Sequence, residues 1–212
     1  MLRLHLVVFC LLSVVWSFEP ALGDVVLEPY AGYDMGKMKF LSVAGLSGSE
    51  WESSGFAFGA RVSYTIPMLF FSLDYNSEMG SARRTSPSSL NSDTSGSTLF
   101  LLMGMNLPLL RGWLGYGLMQ ETTFKSVPNV GDMTATGSGL KVGLSYSGLS
   151  FMAVNLEYIR KSFLAVKTSA SEVNADGTGD IVRLSVSVPI NLMSTSFDGS
   201  SDGSSSGSTD GE

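Results

Sequence analysis

A chain of 212 residues with 44% hydrophobic and only 15% charged residues has the length of one domain and too little charge for an ordinary water-facing surface of that size. Its 24 glycines and seven tyrosines favour closely packed β structure over helix. Thirteen basic against 19 acidic residues, a net charge of −6, and no basic run longer than Arg83-Arg84 argue against nucleic acid as a partner.

At the N-terminus, Arg3 and His5 precede an apolar run from Leu6 to Trp16, followed by Pro20 and the small-residue site Ala21-Leu22-Gly23. This reads as a secretory signal over residues 1–23, cleaved before Asp24. The run is shorter than the roughly 18 apolar residues that a membrane-spanning helix needs. A lipoprotein signal is disfavoured, because Phe9 rather than a small residue stands before Cys10. Cleavage would remove the only Cys and the only His, so stability is expected from strand pairing and burial, without disulfides.

Alternation of period two then recurs along the chain. The first predicted strand sets Val25, Leu27, Pro29, Ala31, Tyr33 and Met35 against Glu28, Gly32 and Asp34. The second sets Phe56, Phe58, Ala60, Val62, Tyr64 and Ile66 against glycines, Arg61, Ser63 and Thr65. The third carries Leu69, Phe71, Leu73 and Tyr75; the fourth Leu99, Leu101, Met103, Met105 and Leu107; the fifth Leu114, Tyr116 and Leu118. Leu140 to Tyr146, Met152 to Tyr158 and Val182 to Val188 complete eight strands. Counted with the residues that flank these alternating cores, each strand is expected to be about 9 to 12 residues long, the length a tilted strand needs to cross a bilayer.

The expected connections alternate in length. Residues 66–68, 108–111 and 147–149 read as tight turns, whereas 37–54, 80–97, 124–137 and 165–179 read as long loops rich in Ser, Gly, Thr and Asn. Transmembrane β-barrels show this asymmetry, with short periplasmic turns and longer extracellular loops. The fold class expected is therefore all-β, an eight-stranded antiparallel up-and-down transmembrane barrel over residues 24–192. Its apolar face points outward to lipid and its Gly, Ala, Ser and Thr face inward. Aromatic residues near the strand ends, Tyr30, Tyr33, Phe56, Tyr64, Phe71, Tyr75, Trp113, Tyr146, Tyr158 and Phe163, are expected to form interfacial girdles. Residues 193–212, nearly all Ser, Gly and Asp after Phe197, read as a disordered periplasmic tail.

LEPYAGYDMG in the first strand, GFAFGARVSY in the second and the eight-strand hairpin plan resemble the small outer-membrane β-barrels of Gram-negative bacteria, of the OmpA or OmpW type. The resemblance covers about residues 24–192 and implies location in the outer membrane, contact with its lipid and insertion by the barrel-assembly machinery. Family members often end the last strand on an aromatic residue that this machinery reads; here the strand finishes Ser187-Val188-Pro189-Ile190.

On the inward face, Glu28, Arg61, Asp74, Lys141, Glu157 and Arg183 fall at similar heights above the short-turn rim. Three cations and three anions there predict an ionic network filling the lumen, since an eight-stranded barrel has room for little beyond its side chains. Enzymatic readings find little support. The mature chain would hold no His to act as base, and Asp74 and Glu78, four apart on a strand, would lie roughly 13 Å apart. No cofactor or metal is expected. The role expected is structural or surface-interacting, with an extracellular partner reached through the long loops. The alternatives are a narrow channel or carrier for small solutes or hydrophobic compounds, and a soluble lipocalin-like binder with its apolar face turned inward.

Overall fold

The computed structural model describes residues 23–42, 48–66, 68–86, 89–127, 131–149, 151–168 and 172–193. All of the expected signal segment but Gly23, and all of the expected tail but Met193, lie outside them.

Among the described residues nine strands follow in chain order: β1 (Asp24–Ser42), β2 (Ser49–Ile66), β3 (Leu69–Ser86), β4 (Leu90–Asn106), β5 (Leu110–Val127), β6 (Gly131–Tyr146), β7 (Ala153–Lys167), β8 (Glu172–Ser187) and β9 (Ile190–Met193). Each of the first eight pairs antiparallel with its sequence neighbours, and β1 pairs with both β2 and β8, so the sheet closes. Closure leaves no long free edge, which is the requirement lipid imposes on a sheet. β9 continues β8 along the start of β1 beyond Pro189: the Val188 amide donates to the Pro29 carbonyl at 3.0 Å, and Ile190 to Met193 then run beside Leu27 to Val25. The ladder thus reaches Met193, one residue beyond the expected barrel end.

The first eight strands run 15 to 19 residues, well beyond the length needed for a bilayer. The segments expected as long loops are mainly ladder. Lys37 to Phe40 pair with Ser49 to Glu52, and Gly80 to Arg84 pair with Leu90 to Thr94. Thr134 to Thr136 pair with Ala165 to Lys167. The barrel therefore has two storeys, a lower one next to the short turns and an upper one built from the supposed loops.

The faces separate cleanly. In the lower storey Phe58, Leu101 and Leu144 stand outward, 47%, 50% and 51% exposed, in a belt continuous with Met35, Phe71, Met103, Leu114, Leu156 and Leu184. A water-soluble monomer does not carry an exposed apolar band of this extent. Above the belt the outward positions turn polar: Lys37 meets Glu52 at 3.3 Å and Lys39 meets Glu50 at 2.8 Å.

Three of the aromatics expected at the interfaces point inward instead. Tyr30, Trp113 and Phe163 are buried in the lumen, because they share strand parity with Glu28, Gly115 and Lys161. Small inward residues make room for two of them. A Cβ on Gly59 would lie 2.4 Å from the Tyr30 ring, and one on Gly143 would lie 2.1 Å from the Trp113 indole. Tyr33 and Phe56 do face outward, and their rings meet edge to face at 5.4 Å.

Candidate functional site

The lumen of the lower storey is packed with charge. Glu28, Arg61, Asp74, Lys141, Glu157 and Arg183 all point inward and are buried. Arg61 stands at the centre of one cluster: its guanidinium lies 3.4 Å from Glu28, 3.5 Å from Asp74 and 3.0 Å from Glu157. Lys141 reaches Asp74 at 2.9 Å and Glu157 at 3.5 Å. Arg183 lies 3.7 Å from Glu157 and so joins the same cluster.

Pairing across strands explains part of this. Glu28 is directly opposite Arg61, Arg61 is opposite Asp74, and Glu157 is opposite Arg183. Such neighbours stand close enough for side chains to meet. Lys141 and Glu157 are diagonal neighbours on the paired strands β6 and β7, while Arg61–Glu157 and Lys141–Asp74 cross the lumen and depend on closure of the barrel.

Further residues complete the cluster that the sequence reading did not include. Arg183 grips Asp34 with two parallel bonds, Nε to Oδ1 at 2.7 Å and Nη2 to Oδ2 at 2.8 Å, and also donates to Glu78 at 3.0 Å. Bidentate geometry of this kind is the strongest that an arginine and a carboxylate can make. Lys161 holds Glu78 from the opposite wall. Arg111 donates to Glu28 at 2.6 Å and to Ser63 at 3.1 Å. The Tyr30 hydroxyl donates to Asp74 at 2.7 Å, and the Ser187 hydroxyl donates to Glu28 at 2.6 Å.

Five cations, Arg61, Arg111, Lys141, Lys161 and Arg183, thus face five anions, Glu28, Asp34, Asp74, Glu78 and Glu157, among the described residues. The balance matters because a buried charge is tolerable only when paired and hydrogen-bonded. Aromatic faces add to it: the Arg61 guanidinium lies 4.3 Å from the Trp113 ring centre, Arg111 3.9 Å from that of Phe70, and the Lys141 ammonium 4.5 Å from that of Phe100. Among the described residues no three His, Cys, Asp or Glu side chains are placed to hold a metal ion.

The upper storey is filled differently. Met38, Phe40, Trp51, Phe124, Met133, Phe163 and Val166 form one buried apolar cluster inside it. Phe40 stacks on Phe163 at 5.3 Å and meets Phe124 edge-on at 5.9 Å, while Trp51 tilts onto Phe124 at 5.2 Å. A charged tier below and a greasy tier above therefore occupy the lumen in series.

No family model matches the chain, and no curated protein matches it. Among solved structures, the outer membrane protein OprG from Pseudomonas aeruginosa is similar at 12% identity, over 79% of this chain and 97% of that one, with a TM-score of 0.51. Neisserial surface protein A, NspA, is similar at 16% identity over 76% and 96%, TM-score 0.48. Ail, the attachment invasion locus protein of Yersinia pestis, is similar at 12% over 79% and 99%, TM-score 0.49. The fold is that of a small outer-membrane β-barrel.

Within that fold, the residues added by the structure were open to detection in different degrees. Asp34 and Glu78 share parity with Glu28 and Asp74 on their own strands, so face alternation alone assigns them inward. Arg111 stood in a segment expected as a tight turn, but the ladder already begins at Leu110. Lys161 lies past the expected end of its strand, in a stretch that the structure continues to Lys167.

Proposed function

We propose that the chain is an exported outer-membrane protein that acts as a surface-presenting scaffold with a closed lumen. The observation that carries this reading is the double filling of the barrel. A hydrated ion would have to pass both the neutralised ten-charge cluster around Arg61 and Arg183 and the apolar cluster around Phe40 and Phe124. The charged tier is tied up in its own ion pairs, and the apolar tier offers a hydrated ion no polar partners. The apolar belt around Leu101 and Leu144 supports residence in a bilayer, where the backbone pairing of a closed sheet satisfies every strand. In this reading residues 1–23 direct export, the short turns and the tail face the periplasm, and the assembly machinery inserts the barrel.

The surface offered to the outside is then the polar wall of the upper storey. Lys37, Glu52, Asp93, Glu121 and Asp176 stand outward on it, on a scaffold made rigid by its own core. A partner would be met by this paired, ladder-bound wall more than by free loops.

Reconstitution in planar bilayers tests the closed lumen. The expected record is silent; discrete openings altered by Arg61→Ala would replace the scaffold reading by a channel. Heat-modifiable gel migration tests the barrel in the membrane. Boiled and unboiled samples running alike, or release from membranes without detergent, would overturn it in favour of a soluble binder.

A further inference from the structure

The wall of the barrel carries two bulges at the upper edge of the apolar belt. Leu118 is an extra residue in β5 relative to both β4 and β6, since Leu99 and Phe100 pair with Met119 and Gly117, and Gly117 and Gln120 pair with Gly139 and Gly137. Leu164 is likewise extra in β7 relative to Thr136 and Gly137 of β6. Bulges bend a strand and re-aim its side chains. Here Leu118 and Met119 both turn outward, and Gln120 returns to the inside.

A hollow of about 410 Å³ lies between the two bulges. Tyr75, Leu99, Met119 and Leu164 line its outer part, and Thr98 and Gln120 line its inner part. Thr98 is 1% exposed and Gln120 4%, yet the Thr98 hydroxyl and both ends of the Gln120 amide have no partner within the protein. Asn76, directly opposite Thr98 as Thr98 is opposite Gln120, also has both amide atoms unpartnered. Buried polar atoms are ordinarily paired, so an unsatisfied row of neutral donors and acceptors beside a cavity marks a place for a polar group from elsewhere.

The chemistry of that group follows from the lining. Glu121 is the one charged residue in the lining among the described residues and disfavours an anionic head, while the neutral amide and hydroxyl further in offer both donors and acceptors. The mouth opens on the belt, at the level where lipid-facing side chains give way to polar ones. We propose that this hollow binds one membrane-borne amphiphile with an uncharged hydrogen-bonding head, such as a long-chain alcohol. The head sits on Thr98 and Gln120, and the chain lies along Leu99, Met119 and Tyr75. The site rests on the lipid-facing reading of the belt.

The test uses protein purified from membranes and reconstituted in phosphatidylcholine vesicles, with two photoreactive probes, a diazirine-bearing hexadecanol and the matching hexadecane. Mapping of labelled peptides should show saturable hexadecanol labelling concentrated around Leu99, Met119 and Leu164, with hexadecane spread around the whole belt. Thr98→Val and Gln120→Leu should each weaken the hexadecanol signal roughly five- to tenfold, the effect of one lost hydrogen bond to a buried neutral group. Leu99→Trp, which fills the hollow from the lipid side and leaves the buried row intact, should abolish it; heat-modifiable migration verifies that each variant is folded. Hexadecanol spread like hexadecane, or labelling of the hollow unchanged in the three variants, would overturn the site alone. Failure of either probe to label the peptides carrying Leu101 and Leu144 would overturn the lipid-facing belt and the site with it.

Discussion

Along β1, Glu28, Tyr30 and Asp34 point into the same lumen as Met38 and Phe40, while Ala31, Tyr33 and Met35 share the outer face with Lys37 and Lys39. The pleat keeps its parity throughout, but the chemistry of the two faces exchanges between Met35 and Lys37. Below that level the barrel is built for lipid, greasy outside and charged within. Above it the same strands form a water-facing barrel, charged outside and greasy within. β6 repeats the exchange: Met133 and Ala135 are buried above, whereas Leu140, Val142 and Leu144 face outward below, with Lys141 buried between them. What the comparison teaches is that the solvent decides polarity and the pleat decides only sidedness. One continuous ladder serves two solvents, and the filling of the lumen changes where the solvent changes.

The largest effect expected from breaking this arrangement is in the charged tier. Arg183→Met strands Asp34 and leaves Glu78 with Lys161 alone, and should cost about 3–5 kcal/mol in reversible urea unfolding from lipid vesicles. Removing the partner as well, in Arg183→Met with Asp34→Leu, restores four cations against four anions and should recover most of that loss. If the double variant is no better than the single one, charge balance is not what holds the lower storey together. In the upper storey Phe124→Ala removes the ring that touches both Phe40 and Trp51. A loss of about 3 kcal/mol or somewhat more is expected in the same assay, with the belt untouched.

The exchange of outer faces is sharpened by one substitution made at two heights on β4. Leu101→Arg places a charge in the middle of the belt and should cost about 2–4 kcal/mol. Asn91→Arg, on the same face of the same strand but above the belt, should leave the unfolding midpoint where it was. Equal effects at the two positions would remove the boundary between the storeys.

The smallest effect is expected at the exposed pair Lys39 and Glu50. Their hydrogen bond, and then their mutual charge, raise the Lys39 ammonium above its ordinary 10.5 and lower the Glu50 carboxyl below its ordinary 4.5. A lowered carboxyl contributes stability above its unfolded value and loses it as pH falls through the folded one. A raised ammonium contributes below its unfolded value and loses it as pH rises through the folded one. The pair is therefore fully formed between about pH 4.5 and 10.5. Full exposure and screening by salt leave it little to contribute. Glu50→Gln should not move the urea midpoint anywhere between pH 5 and 9; a clear shift would show that outer ion pairs hold the upper storey.

The lower storey was legible because its outward face is a long uninterrupted apolar series, as in Phe56 to Ile66, with small or charged residues between. The upper storey read as loop because its apolar members are few and widely spaced, Met38 and Phe40 on β1, Trp51 on β2 and Phe124 on β5, among Ser, Thr and Gly. Met38, Phe40 and Trp51 also fall on the opposite parity from the belt, so the outward series simply appears to stop. A change of apolar parity at Met35 to Met38 was the signal available. The bulge at Leu118 hid the equivalent signal in β5, because an inserted residue shifts parity without changing face. Tyr30 and Trp113 were misplaced for another reason: an aromatic side chain fits an interface and a crowded lumen equally well, and only its strand position separates the two.

Sequence alone decided that this chain forms eight pleated strands with a nonpolar outside over the lower part, because a period of two is local and needs no knowledge of partners. Tertiary structure alone decided which charges meet. Arg183 touches Asp34, Glu78 and Glu157, which come from three other strands, and Arg61 reaches Glu157 across the lumen. Those meetings depend on how far each strand is staggered when the sheet curls shut, a quantity summed around the whole ring that no single segment contains.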